Sequence, residues 1–264
     1  MADNKFIQSV LAGSIMNAGV FRALETRIKK NDTDALPFKN TLKGLKYFGG
    51  FITKVQHNYL WMDFKLTLKL MIRQKTELEI FTAYAPVHQE NKKIKGITQE
   101  EKILRFVAFL KKYLSDRPQR KYRLVLNVLL HEEAMFLLKA EVNTAEPLSA
   151  GAVQKISQKA VPGICGALRH VPMHLPPGKM GECLQQNAGK LLRSRRKYYS
   201  YWYDPHTPAV RILEMPALMR RVLVEVDSKK KIKEIVRHCA ADVSPEDTRT
   251  VLEHLYKMKM ITLN

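Results

Sequence analysis

Through the first half of the chain, apolar residues recur at steps of three and four, the spacing that places them on one face of a helix. Phe6, Val10, Ile15, Val20, Phe21, Leu24 and Ile28 follow it over residues 6–30. Gly13 and Gly19 weaken the middle, so the stretch reads as one helix or as two short ones. Residues 31–37 are polar and turn-like. Over residues 42–71, Leu45, Phe48, Phe51, Ile52, Val55, Tyr59, Leu60, Met62, Phe64, Leu66 and Leu70 predict helices with a break near Gly49–Gly50. Residues 76–84 predict another helix, with Pro86 just past its end, and residues 88–96 a polar loop. Thr98 and Glu101 have the spacing of a capping box, in which hydroxyl and carboxylate satisfy each other's backbone amides. The helix they open buries Ile103, Phe106, Val107, Leu110 and Leu114; a turn at Pro118 follows, then a strong helix over 122–139. Residues 1–141 therefore read as an all-helical domain.

The pattern then changes twice. Across 142–189, Pro147, Pro162, Pro172, Pro176, Pro177 and several glycines puncture every candidate element, apart from a short helix at 152–160. This predicts an irregular connector. Residues 190–264 predict a separate α+β domain. The aromatic run YYSYWY (198–203) and residues 210–213 make a strand hairpin around turn material at 204–208. Pro216 can open a helix containing Leu218, Val222, Leu223 and Val226, and Ile232, Ile235 and Val236 mark a second. Ser244 is an N-cap with Pro245 at the first helical position, and Glu246 and Asp247 sit at the positive end of the dipole. Ile261, Thr262 and Leu263 can add a last strand. The expected fold class is mainly α with a C-terminal α+β winged-helix-like domain.

Composition sharpens this outline. The chain has 264 residues, 45 basic and 25 acidic side chains and a net charge of +20. It is long enough for a core without disulfide or metal staples. No run of about 18 uncharged apolar residues occurs, so no membrane span is expected. The start of the sequence lacks the pattern of a signal peptide. Cys165, Cys183 and Cys239 are an odd number without a Cys-x-x-Cys pair. A reducing cytoplasm is thus the expected location. The positive charge invites a nucleic-acid partner. It is spread evenly, however, at about +10 for residues 1–150 and about +10 for the remainder. The helix after Ser244 balances Glu246, Asp247 and Glu253 against Arg249, Lys257 and Lys259, with its acids at the leading end, where a DNA-reading helix would meet phosphate. The run Arg193, Arg195, Arg196, Lys197 ahead of YYSYWY fits single-strand stacking, or equally a strand whose rings pack inward.

Candidate chemistry is sparse. No nucleophile elbow, phosphate-binding loop or dinucleotide fingerprint is present. His131–Glu132–Glu133 stands alone, and adjacent helical residues do not share a face. Cys165, His170, His174 and Cys183 crowd the connector, but their spacing matches no familiar zinc pattern. Autonomous catalysis, a cofactor and a metal are therefore not expected.

A use of the winged-helix pattern other than DNA binding is capture of an extended peptide at a strand edge. Residues 198–263, with "ILEMPALMRRVL", "KKIKEIVRH" and "VSPEDTRTVLEHLYKMKMI", resemble PqqD-like leader-recognition domains, although a hairpin stands where those domains usually have three strands. The whole chain, with "FITKVQHNYLWMDFKLTLKLM" and "YRLVLNVLLHEEAMFLL" ahead of the connector, resembles the methanobactin-type partner proteins of multinuclear non-haem iron oxidative enzymes. The resemblance implies a non-catalytic subunit. It would bind the iron-dependent enzyme and present a ribosomally made precursor peptide for cysteine modification. It also implies that Val210, Arg211, Ile212 and Leu213 on a strand, and Arg249, Leu252, Glu253 and Tyr256 on a helix, flank the leader peptide. The alternative is a winged-helix nucleic-acid-binding regulator.

Overall fold

The computed structural model describes residues 13, 18–33, 35–142, 157–165, 167–185, 188–204 and 209–263. The chain is mainly helical with a small sheet region towards its C-terminus. It divides into two compact units, Met1–Leu129 with Leu184–Gln186, and Leu130–Cys183 with Asn187–Asn264.

In the first unit the described residues form α1 (Ala18–Lys29), α2 (Leu42–Gln56), α3 (Lys65–Arg73), α4 (Glu77–Asn91), α5 (Gln99–Ser115) and the first half of α6 (Arg120–Val142). The predicted stripe of α5 is buried at Ile103, Phe106, Val107, Leu110 and Leu114. Its capping box forms as read, with Glu101 N–H donating to Thr98 Oγ1 at 3.1 Å and Thr98 N–H to Glu101 Oε2 at 2.8 Å. Phe81, Tyr84 and Phe106 make the aromatic centre of this unit, with the Phe81 and Phe106 rings stacked at 5.3 Å.

Two predicted breaks are absent. Helix α2 runs straight through Gly49–Gly50, because Gly50 is an approach point for α4. A methyl group on Gly50 would lie 2.8 Å from both Cα and N of Thr82. Glycine here removes a clash rather than ending a helix. Helix α4 likewise continues through Pro86 to Asn91, so residues 88–91 are helical and not loop. Proline removes one intrahelical donor and presses on the residue four positions back. The burial of Ile80, Phe81, Thr82 and Tyr84 on one turn of α4 outweighs that local loss. Of the apolar positions predicted over residues 6–30, Phe6, Val10 and Ile15 lie outside the described residues.

The second unit takes the rest of α6 and the sheet region. Its strands are β1 (Pro162–Ile164), β2 (Leu168–Met173), β3 (Lys197–Asp204), β4 (Ala209–Glu214) and β5 (Ile261–Leu263). Its helices are α7 (Ala217–Val224), α8 (Ile232–Cys239) and α9 (Pro245–Lys257). Strand β1 pairs antiparallel with β5, while β2, β3 and β4 form an antiparallel three-stranded sheet in that order. The expected two-stranded hairpin is thus extended by a strand from the predicted connector. Its prolines do not prevent this. Pro162 begins β1, and Pro172 lies on β2, an edge strand, where a missing N–H can be tolerated. Of the helix predicted at 152–160, residues 152–156 lie outside the described residues, and 157–160 form a turn whose carbonyls accept from the start of α8. Ser244 caps α9 as read, accepting from Asp247 N–H at 3.0 Å.

The sheet is covered on both faces. Trp202, Leu168 and Leu213 belong to the core built with α7, α8 and α9. On the opposite face Tyr201 meets His131 of α6, with a 2.9 Å hydrogen bond between its hydroxyl and Nδ1. Arg169 pairs there with Glu141. The central strand therefore buries aromatics on both faces, Tyr199 and Tyr201 on one side and Trp202 on the other. These three rings are taken up by the core, while Tyr198 is 39% exposed and Tyr203 half-buried.

Candidate peptide-binding strand edge

Register decides what each edge of the sheet can offer. In an antiparallel ladder, opposed residues alternate between pairs that exchange both backbone bonds and pairs that exchange none. Met215 N–H donates to Tyr198 C=O at 2.7 Å, so the backbone of Tyr198 faces β4. By alternation Ser200 and Trp202 also face β4 and bond to their partners Leu213 and Arg211. The N–H and C=O of Val210, Ile212 and Glu214 then point away from β3, out of the sheet edge. Among the described residues no strand pairs with that edge.

The same alternation applied to β2 turns Leu168, His170 and Pro172 outward. Pro172 has no N–H to offer, so that edge is blunted towards its end. The sheet thus has one edge fit for strand addition and one unfit for it. In sequence, proline predicts irregular structure. Here it decides which edge is open.

Side chains on β4 divide by face. Val210, Ile212 and Glu214 share the face of Tyr199 and Tyr201, whereas Arg211 and Leu213 share that of Trp202. Ile212 is 37% exposed and Arg211 is exposed, Val210 is half-buried, and Leu213 leans on the helical core. Glu214 is held by Arg193 Nη1 at 2.9 Å, Lys197 Nζ at 3.2 Å and the Tyr199 hydroxyl at 3.2 Å. The hydrogen bond from Arg193 leads in holding its carboxyl below the usual range. Across the other face of β3, the guanidinium of Arg220 sits 3.8 Å from the centre of the Tyr198 ring. One end of the open edge is therefore basic.

The four α9 residues share a face by spacing, but they do not play one role. Arg249 and Glu253 are exposed, and Tyr256 is half-buried against the core. Leu252 is fully buried and packs inside the unit, so it is corrected from a peptide contact to a core residue. Its apolar position in the helical period is the same for either role, and periodicity alone does not tell them apart.

The connector's Cys/His set does not assemble. Cys165 and Cys183 are buried thiols, with burial and then the charge of Glu132 pushing Cys183 up to about 11. His170 Nδ1 bonds Ser200 Oγ across the sheet at 2.7 Å. His174 Nδ1–H donates to the Arg193 carbonyl at 3.0 Å, and its Nε2 accepts from Arg196 at 3.3 Å. Among the described residues no three His, Cys, Asp or Glu side chains gather to hold a metal ion. No described helix is long and apolar enough to cross a membrane.

His131 sets a pH limit on the second unit. Burial against Tyr201 lowers its pKa to about 4. An unfolded imidazole protonates near pH 6.5, so the unfolded chain takes up this proton first as pH falls. The neutral ring's stabilisation is complete above pH 6.5 and is lost as pH drops from 6.5 towards 4. The expected loss is about 2 kcal/mol after allowance for partial exposure. Urea titrations of the wild type and His131→Gln between pH 7.5 and 4.5 check this. The variant should show a flatter pH dependence, and equal slopes would rule the account out.

No family model and no curated protein matches this chain.

Proposed function

We propose that this protein is a non-catalytic accessory subunit that takes up a ribosomally made precursor peptide as an added strand and presents it to a multinuclear non-haem iron oxidative enzyme for cysteine modification. In this reading the second unit acts as a winged-helix-like leader-recognition module. The open β4 edge, opposite a proline-blunted β2 edge, is the observation that carries it. Strand addition draws affinity from main-chain hydrogen bonds and specificity from alternate side chains. The edge supplies outward backbone groups at Val210, Ile212 and Glu214, with Ile212 as an exposed apolar contact. Arg193, Lys197 and Arg220 at one end suit an acidic leader segment. Beyond Arg249 and Lys257, the exposed side of α9 carries Glu246, Asp247 and Glu253, which suits mixed-charge peptide contact better than phosphate.

Isothermal titration with a cysteine-bearing precursor peptide, and separately with a multinuclear non-haem iron oxidative enzyme, tests the proposal. Saturable binding to both is expected. Failure to bind either one sinks it. A gel shift with duplex DNA that weakens steeply with salt, without peptide binding, would support the nucleic-acid regulator instead.

A further inference from the structure

Helix α2 is built inside out. Its fully buried residues are small, Gly50 and Thr53, while Leu42, Leu45 and Ile52 are half-buried. The opposite pole carries Phe48, Phe51 and Val55, one helical stripe at i, i+3 and i+7. They are 49%, 48% and 56% exposed, and the two phenylalanine rings stack at 6.4 Å. Single exposed apolar residues are ordinary on a protein surface, but a contiguous aromatic stripe on one helix marks an interaction site.

The charges around the stripe select its occupant. From Lys39 to Met62 the chain carries Lys39, Lys43, Lys46 and Lys54 and no acidic residue. Lys54 is tied to Glu77 at 2.9 Å, whereas Lys43 and Lys46 are exposed on the helix. A second copy of this chain would bring the same lysines and another +20 to the contact. Like charge around an interface rejects that partner, and carboxylates reward a different one.

We infer that the outward pole of α2 is the docking surface for a different protein, one that offers an apolar patch edged with carboxylates. That this protein is the oxidative enzyme rests on the function proposed above. The β4 edge is given over to the peptide there, so the enzyme needs a surface of its own.

The test uses the full-length chain and the purified iron enzyme. Phe48→Ser with Phe51→Ser removes the aromatic centre, and Val55→Glu alone sets a carboxylate against the proposed acidic rim. Each is expected to weaken enzyme binding roughly 30-fold or more, the loss typical of central aromatic anchors. Peptide binding and far-UV circular dichroism should stay at wild-type levels. If both variants bind the enzyme as tightly as wild type, the α2 assignment fails while the accessory-subunit reading stands. If the wild type does not bind the enzyme, that reading fails and takes the enzyme's place on α2 with it. Sedimentation of the wild type alone should give a monomer. A dimer abolished by the same substitutions would overturn the inference in favour of a second copy.

Discussion

Ile212→Pro is expected to abolish uptake of the precursor peptide while leaving the protein folded. The backbone N–H of Ile212 points out of the sheet, so proline there costs the sheet no bond of its own. It removes a donor in the middle of the open edge and sets a ring where the added strand would lie. Losing the central main-chain bonds should weaken binding on the order of 100-fold, at about 1 kcal/mol for each bond lost. The neighbouring Arg211→Pro is the matched control. Its N–H faces Trp202 within the ladder, so this proline breaks the sheet itself and should destabilise the second unit by about 3 kcal/mol. Fluorescence anisotropy with labelled peptide and thermal melts would separate the two effects. Wild-type affinity in the 212 variant would exclude β4 as the peptide edge. A folded 211 variant beside an unfolded 212 variant would reverse the alternation from which the edge was derived.

Gly50→Ala should destabilise the first unit by about 3 kcal/mol, although alanine is ordinarily the better helix former by about 1 kcal/mol. The new methyl would sit 2.8 Å from Thr82 Cα and N. Those are backbone atoms of a packed helix and cannot swing aside as a flexible side chain would. Gly44 lies on the same helix, and nothing is within 4 Å of the methyl it would acquire. Gly44→Ala should therefore stabilise by about 0.5–1 kcal/mol. Urea unfolding followed by far-UV circular dichroism reports both, because the described part of the first unit is helical. Equal effects at the two positions would show that α2 and α4 do not meet at Gly50.

The contrast between these glycines shows what was legible in the sequence. Elements announced by a local signal appear where they were read: the capping box at Thr98, the capped start of α9 at Ser244 and the aromatic strand β3. Each rests on interactions within a few residues along the chain. Gly49–Gly50 and Pro86 locally favour a break, but Gly50 meets Thr82, 32 residues on along another helix, and the helix holding Pro86 is anchored by its buried turn. For the candidate site, the strand 210–213 was visible as a strand. The edge character of that strand was not, since it depends on β2, a segment read as irregular because of its proline.

By itself the sequence determined the helical front, the α+β tail, the caps and the +20 charge, all of which follow from composition and short-range periodicity. Tertiary structure decided which residues are available for function. It buried Leu252 and the Tyr201 and Trp202 rings, and it turned Phe48, Phe51 and Val55 outward on a helix whose glycine and threonine face inward. The helical period states only that apolar residues share a face. Which side of α2 meets α4 depends on where a backbone can approach closely, and that is settled by steric fit between segments far apart in the chain.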